Sequence, residues 1–432
     1  MKTIMITGPT SHAGKTILSM GIVRALKNRG FNVSAFKSGP DMIDREYLAQ
    51  ASGKSAGNLD SYLMGKDGLR KSLAMNRGDF GIIEGVMGYF DGIHNSFEHS
   101  SYDLSRKLNV PAILVYSPQG EMFSMIPKIK GMLDFPDSQI KGIILNQVSS
   151  KIYQLLKEQI EKHLEIEVLG YLPKLDGLIL EEVEQQLERT IEKIAQAIEA
   201  TVQIDKIIKM TQKLELEENL FPIKKRKIKV AVAWDEAFRH YYNENLILLE
   251  KMTELEYFSP LKDSSLPVSD FLYIGGKQLT EPFIRQLSEN KKMQIAIKKF
   301  ADSGKPILAE NAGLLYLLSS IEGQQMLGLF QGRASVQKRL NLKRFGYVEI
   351  KLEADTLLGK KATNLRGNES HPSSAEISEP TIFQVKKAKT NRSWSCAYQY
   401  KNTLAYYQHI HFLGNIEAFY YLLNQIEQLK DR

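Results

Sequence analysis

The feature that most constrains the fold is a glycine-bracketed loop at the start of the chain. Lys2 to Thr7 form a short apolar run that predicts a buried strand, and a helical pattern begins at Ile17. The loop between them, from Gly8 to Thr16, ends in Gly-Lys-Thr. A strand, such a loop and a helix cradle nucleotide phosphates, because backbone N–H groups and the helix N-terminus face the anion. A chance Gly-Lys-Thr in a turn is the alternative, and the flanking strand and helix disfavour it.

The residue types in this loop predict individual roles. Lys15 is expected to reach the β- and γ-phosphates, and the Thr16 hydroxyl is expected to bind Mg²⁺. Gly8 lies one residue further from Gly14 than the strict pattern allows, so the loop is a longer variant. The full set of predicted nucleotide-binding residues is Thr10, Ser11, His12, Ala13, Gly14, Lys15, Thr16 and Asn146.

Composition excludes several other classes of protein. The 432 residues are enough for two or three domains, each with its own core. No apolar run reaches the roughly 18 residues of a membrane span, and the N-terminal apolar stretch is too short for a signal peptide. The single cysteine, Cys396, excludes an intramolecular disulfide and suits a reducing compartment. We therefore expect a cytoplasmic protein that has no membrane partner.

The charge balance does not favour a nucleic-acid partner. The net charge of +7 comes from 57 basic and 50 acidic residues, which is mild for this length. It is compatible with a polyanionic small molecule or with solubility alone. The densest basic run, at 224–227, contains no interleaved aromatic residues, so we interpret it as a solvated linker.

Alternating strand and helix patterns predict an α/β protein with two domains, each a mostly parallel sheet flanked by helices. The strand candidates of the first half are 4–6, 33–36, 80–83, 112–116, 142–145 and 168–169. Its helical segments are 16–27, 103–108, 126–133 and 150–163. The second half has strand candidates at 230–234, 271–274, 307–309, 347–351 and 383–386, with helices inside 238–253 and 281–304. Because the strand pattern restarts after a charged helical stretch at 181–213, we place the domains at 1–221 and 229–432, joined by a linker at 222–228.

Carboxylates follow two strands of the first predicted sheet. Asp41 and Asp44 come after the second strand candidate, and Glu84 and Asp91 come after the third. Ligands of parallel sheets lie beyond the carboxyl ends of the strands, so these acids should converge near the phosphate loop. Mg²⁺ prefers one or two carboxylates with phosphates and water, and we predict Thr16, Asp41 and Glu84 as metal ligands. For Asp44, the alternative role is an N-cap of the following helix.

The second domain contains a predicted strand, sharp turn and helix at 306–316, which is the shape of a nucleophile elbow. The turn itself is Glu310-Asn311-Ala312-Gly313. Near the end of the chain, His409 and His411 lie in a Tyr-Gln-His-Ile-His-Phe run.

These motifs together resemble the cobyrinic acid a,c-diamide synthases over nearly the whole chain. The matching runs are 36–44 (FKSGPDMID), 58–60 (NLD), 84–92 (EGVMGYFDG), 144–146 (ILN), 235–238 (DEAF), 258–261 (FSPL), 365–367 (LRG) with Glu369 and His371, and 409–412 (HIHF). The resemblance implies a dethiobiotin-synthetase-like domain of the P-loop NTPase type, which tolerates the longer loop. A flavodoxin-like class I glutamine amidotransferase domain would follow it.

The resemblance also implies a reaction. A side-chain carboxylate of a corrinoid ring is phosphorylated by ATP with Mg²⁺, and ammonia then attacks the acyl phosphate. Such transfer needs positioning and charge neutralisation. The implied catalytic residues are Lys15, Lys37, Asp41, Asp44, Glu84 and Asp91. The implied substrate-binding residues are Asp41, Met42, Asp44, Asn58 and Asp60. The implied partners are a corrinoid polycarboxylate and ammonia or glutamine, and a homodimer is the commonest assembly for such a chain.

Departures from the family pattern keep other substrates open. The family has Tyr at Met42, Pro at Arg45 and His at Leu48. A different tetrapyrrole, such as a sirohydrochlorin, is therefore an alternative substrate. A catalytically inactive, ATP-binding regulatory homologue is an alternative of another class. It is disfavoured because the acids and lysines expected in the ATPase half are all present.

The largest departure from the family pattern lies at the elbow, where the family has the sequence Glu-Cys-Gly-Gly. Asn311 stands in place of the cysteine, although His409 remains, and an amide cannot form the thioester that glutamine hydrolysis needs. Gly276 is followed by Lys277-Gln278 in place of the family's aromatic-Pro-Glu. We therefore predict an inactive glutaminase half and the use of free or delivered ammonia. Cys396 lies in a strand-like run, where a buried structural thiol is favoured over a substitute nucleophile.

Overall fold

The computed structural model describes residues 1–175, 184–216, 221–276, 279–337 and 342–431. The chain divides into two compact units. The first consists of Met1–Ser61 and Gly65–Leu220, and the second of Tyr62–Met64 and Phe221–Arg432. None of the helices in the described ranges combines the length and the apolarity needed to span a membrane.

The first half of the chain alternates strands and helices. In order they are β1 (Lys2–Thr7), α1 (Lys15–Asn28), β2 (Val33–Ser38), α2 (Ile43–Ser52), β3 (Gly57–Leu59), α3 (Ser61–Met75, kinked at Gly65), β4 (Phe80–Glu84), α4 (Ser101–Leu108), β5 (Ala112–Tyr116), α5 (Met125–Asp134), β6 (Ile140–Asn146), α6 (Ser150–His163), β7 (Glu167–Leu172), α7 (Glu184–Thr201), α8 (Ile204–Met210) and β8 (Gln212–Lys213).

Seven of these strands form a parallel sheet in the order β3-β2-β4-β1-β5-β6-β7, and β8 pairs antiparallel with β1. The central strands are buried along almost their whole length, because helices cover both faces of a parallel sheet. Since β2, β4 and β1 are neighbours, the loops that follow them emerge side by side at one edge. That edge carries the phosphate loop and the predicted acids.

The sequence predictions for this half hold for its longer elements. The six strand candidates fall within β1, β2 and β4–β7, and the four helical segments fall within α1, α4, α5 and α6. Strands β3 and β8 were not predicted, because two or three residues are too few to show a period. The helical pattern of 181–213 is confirmed for α7 and α8 and is wrong at Gln212–Lys213, which form β8. Residues 181–183 lie outside the described residues.

The second half has more strands than the sequence predicts. Its elements are β9 (Lys229–Ala233), α9 (Asn243–Met252), β10 (Glu254–Phe258), β11 (Phe271–Ile274), α10 (Glu281–Glu289), α11 (Lys291–Asp302), β12 (Ile307–Glu310), α12 (Ala312–Leu317), β13 (Leu318–Ile321), β14 (Gln324–Gln325), β15 (Phe330–Val336), β16 (Gly346–Leu352), β17 (Asn364–Glu369), β18 (Ser373–Ile377), β19 (Phe383–Lys387), β20 (Ser393–Cys396), β21 (Tyr398–Tyr400), β22 (Thr403–Tyr406), β23 (His409–Ile410), a 3₁₀ turn (Phe412–Gly414) and α13 (Ile416–Lys430).

The predicted parallel sheet is present in this unit as β10-β9-β11-β12-β22-β21, in which only the pairing of β21 is antiparallel. Two further sheets, β14-β13-β15-β18 and β20-β19-β16-β17-β23, are mostly antiparallel and were not predicted. The expectation of a mostly parallel domain is therefore right for the central sheet and incomplete for the unit. The predicted α/β class is confirmed.

Candidate functional site

The phosphate loop is shaped by one glycine and one asparagine. Gly14 caps the start of α1 with φ +93°, and a Cβ there would lie 2.0 Å from Asn146 Nδ2. Asn146, at the end of β6, donates from the same nitrogen to the carbonyl of Ala13 at 3.0 Å. Gly14 is thus required both by its φ and by this close approach. Asn146 therefore stabilises the loop through this hydrogen bond. Its contact with a nucleotide stays a prediction.

The Lys15 side chain folds back onto the phosphate loop. This side chain is buried, and Nζ donates to the Thr10 carbonyl at 2.9 Å. Burial and the neighbouring Lys37 ammonium lower the pKa of Lys15 to about 8, although Glu84, Asp44 and Asp91 act in the opposite direction. A phosphate group beside Lys15 would stabilise its charged form. Three other predicted nucleotide ligands, Thr10, Ser11 and His12, are exposed on the loop surface.

The predicted lysine and two of the predicted acids form one hydrogen-bonded cluster with Thr16. Glu84 Oε1 accepts a hydrogen bond from the Thr16 hydroxyl at 2.6 Å and another from Lys37 Nζ at 2.7 Å. Lys37 also donates to Asp44 Oδ2 at 2.6 Å. The meeting follows from register, because Lys37 in β2 pairs directly with Glu84 in β4. The structure therefore brings four of the predicted residues into one cluster beside the phosphate loop.

The electrostatics of this cluster follow from its burial. Glu84 is 0% exposed and Lys37 is 3% exposed. Burial raises the pKa of Glu84, and Lys37 offsets part of this effect. Burial lowers the pKa of Lys37, but Glu84 and Asp44 outweigh it, so the net pKa of Lys37 is raised and it stays an ammonium. Within the described residues, the buried Glu84 Oε2 has no hydrogen-bond partner, which leaves an acceptor for a cation.

The donor set suits Mg²⁺ rather than a metal held by protein side chains alone. In the described ranges, no group of three or more His, Cys, Asp or Glu side chains could hold a metal ion. Mg²⁺ is commonly bound through one or two carboxylates together with phosphate oxygens and water. Thr16, which directly follows Lys15, and Glu84, at the end of β4, could supply the protein ligands of such a site.

The capping role considered for Asp44 belongs to Asp41. Asp41 Oδ1 accepts from the backbone N–H of Ile43 at 2.9 Å and of Asp44 at 3.3 Å, at the start of α2. Asp44 lies in the first turn of that helix, with its carboxylate on Lys37. The N-cap alternative for Asp44 is therefore wrong. Metal binding by Asp41 stays a prediction.

Three residues expected to contact the substrate are buried. Met42, Asn58 and Asp60 are each 2% exposed or less. Asn58 Nδ2 donates to the carbonyls of Gly39 at 3.0 Å and Asp41 at 2.9 Å, so it fixes the loop after β2. Direct contact of these three side chains with a substrate stays a prediction. Asp41 and Asp44 remain partly exposed.

The loop after β4 is fastened to the phosphate loop and to β2. The Tyr89 N–H donates to the Gly8 carbonyl at 2.8 Å, and the Val86 N–H donates to Ser38 Oγ at 2.9 Å. Asp91 is exposed and accepts from the Gly88 N–H at 2.9 Å, which closes the turn. A direct catalytic role of Asp91 stays a prediction. Sequence reasoning missed Ser38, although it lies inside a run already singled out.

The elbow of the second unit has the predicted strand–turn–helix geometry. Asn311 follows β12, precedes α12 and has φ +48° and ψ −102°, a strained conformation for a residue other than glycine. A Cβ at Gly313 would lie 2.0 Å from the Ile274 carbonyl, so only glycine fits there. Asn311 is buried, and its Nδ2 lies 3.1 Å from His409 Nε2.

The surroundings of His409 are ordered by a buried carboxylate and an asparagine. Glu310 Oε2 lies 3.7 Å from His409 Nδ1 and accepts from the Tyr273 hydroxyl at 2.8 Å. Asn245 holds the segment after His409, because it donates to the Ile410 carbonyl and accepts from the Phe412 N–H, both at 2.8 Å. The departure at Lys277-Gln278 lies outside the described residues.

Cys396 is buried in β20, as the sequence predicts. Burial, with a smaller effect of Glu369, raises the pKa of its thiol to about 11. Since the thiolate is the nucleophile, a thiol in this state is a poor replacement for an elbow cysteine.

We expect Cys396 to resist alkylation. At pH 8 a pKa of about 11 leaves roughly one thiol in a thousand ionised, and burial hinders access further. Iodoacetamide at pH 8 should label the native protein far more slowly than the unfolded protein, as followed by mass spectrometry. Rapid native labelling that also abolishes ammonia-dependent turnover would show that Cys396 is a reactive site residue.

Two family models match the chain. Residues 4–188 match the CobQ/CobB/MinD/ParA nucleotide binding domain, and residues 229–416 match the CobB/CobQ-like glutamine amidotransferase domain. The cobyrinate a,c-diamide synthase of Clostridium acetobutylicum is 40% identical over 439 residues, covering 98% of this chain and 100% of that protein. The proteins of the same name from Clostridium tetani and Streptococcus sanguinis are 37% and 34% identical. They cover 98% and 100% of this chain, and 100% of each relative is covered.

Proposed function

The chain belongs to the cobyrinate a,c-diamide synthase family, and on this premise we propose that it amidates the a and c side-chain carboxylates of cobyrinic acid, or of a close corrinoid, at the expense of ATP. The observation that carries the proposal is the cluster of Thr16, Lys37, Asp44 and Glu84 beside the phosphate loop. It joins a metal-binding pair to a buried ammonium at the edge of the sheet where a phosphate would lie.

In this proposal the chain's own residues hold the phosphates and the reacting carboxylate. The backbone N–H groups around Gly14 and the Lys15 ammonium bind the phosphates of ATP, and Thr16 with Glu84 binds Mg²⁺. Bound Mg²⁺ supplies neutralisation of the charge that develops on the phosphate oxygens. Lys37 binds the substrate carboxylate and offsets its repulsion from the triphosphate. Lys37 can do so because two carboxylates keep it charged in spite of burial.

Transfer of the γ-phosphoryl group to a carboxylate oxygen breaks its bond to ADP, which leaves, and makes the carbonyl carbon of the substrate electrophilic. Ammonia adds to that carbon, the C–O bond to phosphate breaks, and inorganic phosphate leaves beside Lys15. The nitrogen must lose a proton on becoming an amide. We assign the acceptance of this proton to Asp44, which is partly exposed, whereas Glu84 is wholly buried. This sequence of steps consumes one ATP for each amide formed.

We further propose that glutamine is not the nitrogen source for the isolated chain. Asn311 lies where the family has its nucleophile, and its side-chain amide contacts His409. An amide nitrogen has no lone pair available for attack on a carbonyl, so it cannot replace a thiolate. The raised pKa of Cys396 supports the same conclusion. Ammonia would then be free or delivered by another protein.

The burial of the residues that differ from the family pattern favours a corrinoid over another tetrapyrrole as the substrate. Met42, Arg45 and Leu48, which differ from the family pattern, are all buried. They therefore alter the support of the loop rather than a surface that the ring would contact. The proposal is tested by mass spectrometry of cobyrinic acid and sirohydrochlorin incubated separately with the chain, ATP, Mg²⁺ and ammonium. Two amides on cobyrinic acid support it. Amidation of sirohydrochlorin alone would overturn the substrate, and ATP binding without amidation of either would favour the regulatory alternative.

A further inference from the structure

Met87 has a backbone conformation that its residue type disfavours. It lies in the loop between β4 and α4 with φ +49°, in the left-handed region. Glycine, asparagine and aspartate adopt this region readily, whereas a methionine there costs free energy. The side chain does not recover that cost by packing, because it is 44% exposed. Strained backbone conformations of this kind cluster at active sites and ligand clamps.

The exposure of Met87 does not come from a loose loop. On one side, Val86 is fixed through its N–H to Ser38 Oγ at 2.9 Å and through its carbonyl to Ser101 Oγ at 3.2 Å. On the other side, the Tyr89 N–H binds the Gly8 carbonyl of the phosphate loop. Met87 is therefore presented outward from a segment that is anchored at both ends.

The position of Met87 relates it to the reacting groups. It lies three residues after Glu84, and a second exposed apolar residue, Ile43, precedes Asp44 directly and is also 44% exposed. Glu84 and Asp44 are the two carboxylates that hold Lys37. One exposed apolar side chain thus lies in the loop after β4 and one at the first residue of α2, each within three residues of a carboxylate that holds the ammonium to which we assign the substrate carboxylate.

We propose that Met87, assisted by Ile43, contacts the apolar face of the macrocycle and sets which carboxylate arm reaches Lys37. A ligand that fits this arrangement is a broad, flat and mostly apolar ring with carboxylates on flexible arms. A small carboxylic acid would satisfy Lys37 but would leave both apolar side chains in water. The inference rests on the proposed function and adds a specificity-determining residue to it.

The test measures binding and stability together. Met87→Gly and Met87→Asn both accept a positive φ and remove the apolar side chain. In the presence of a non-hydrolysable ATP analogue and Mg²⁺, the dissociation constant of cobyrinic acid, followed by its visible absorption, should rise about 5- to 20-fold through the lost apolar contact. The dissociation constant of the nucleotide should not change. The melting temperature should stay equal or increase, because the strain is relieved. Leu155→Ala, at an exposed position of α6, is the matched control and should change neither dissociation constant.

A higher dissociation constant for cobyrinic acid, together with an equal or higher melting temperature, would distinguish a ligand contact from a structural role. Unchanged corrinoid binding in both variants overturns the inference. Parallel losses of melting temperature, nucleotide binding and corrinoid binding also overturn it, because they would assign Met87 to the fold. If the unaltered protein binds nucleotide but no corrinoid, the proposed function fails, and the assignment of Met87 fails with it.

Discussion

Asn311→Cys is expected to give the second unit a glutaminase activity, which we propose that the unaltered chain lacks. The strained turn at 311, the glycine at 313 and the imidazole 3.1 Å from the side chain are already in place. Glu310 lies beside the other nitrogen of that ring at 3.7 Å. On our proposal, the described part of the elbow lacks only a nucleophile. A cysteine there would form the thiolate–imidazole pair that attacks an amide carbonyl.

The expected gain in glutamate release from labelled glutamine is at least about 100-fold over the unaltered chain, short of the roughly 10⁶-fold that a nucleophile contributes in an evolved hydrolase. The gain in glutamate release should stay below that value because Lys277-Gln278, after Gly276, departs from the family pattern. Cysteine tolerates a positive φ less well than asparagine, so we expect a loss of about 1 kcal/mol in the free energy of unfolding.

Two variants serve as controls for this experiment. Asn311→Ala removes the amide without adding a thiol and should remain inactive. His409→Ala combined with Asn311→Cys should lose most of the gain, because the imidazole activates the thiol. A folded Asn311→Cys protein whose new thiol reacts with iodoacetamide, yet releases no glutamate, would contradict the claim that the elbow lacks only its nucleophile.

Glu84→Gln is expected to reduce ammonia-dependent turnover by at least about 1,000-fold, which corresponds to roughly 4 kcal/mol of transition-state stabilisation. Glutamine keeps the shape of the side chain but removes the negative charge that faces Thr16 and Lys37. The loss should come from the metal site and from the position of Lys37, since both depend on this carboxylate. Phosphate release and amide formation should fall together, because they depend on the same step.

Stability must be measured beside turnover in this variant. Removing one partner of a buried ion pair costs about 3–5 kcal/mol when the other charge is left uncompensated. Here Asp44 and the amide oxygen of the new side chain still accept from Lys37, so we expect a smaller loss and a folded protein. Glu158→Gln, on the exposed face of α6, is the matched control and should change neither quantity. A folded Glu84→Gln protein that keeps more than a tenth of the turnover, with an unchanged Mg²⁺ requirement, would remove Glu84 from the metal site.

The sequence predicts the cluster of the first unit because its determinants are local. Strand β4 is a buried apolar run that ends at Glu84, and the loop of Gly8–Thr16 has a recognisable spacing. Parallel strands place their carboxyl ends at one edge, so convergence of Lys37 and Glu84 could be expected. Their direct pairing could not, because register between β2 and β4 depends on the packing of the whole sheet.

The points that the local sequence left undetermined have the same physical origin. Whether Asn58 faces solvent or the loop backbone depends on how β3 lies against β2, which the local sequence does not encode. The N-cap alternative for Asp44 depended on where α2 begins, and helix boundaries are the least determined part of a pattern. In the second unit, strands such as β18 are short, polar and paired with distant segments, so they leave little periodic signal.

The central claim is that this chain forms corrinoid amides from ammonia through an intact synthetase site beside an inactive glutaminase elbow. The most direct measurement compares ammonium with glutamine as nitrogen donor, using the purified chain, cobyrinic acid, ATP and Mg²⁺, with amide formation followed by mass spectrometry. We predict the diamide with ammonium, and neither the diamide nor released glutamate with glutamine. Diamide formation from glutamine, accompanied by release of glutamate from the purified chain, would contradict the claim.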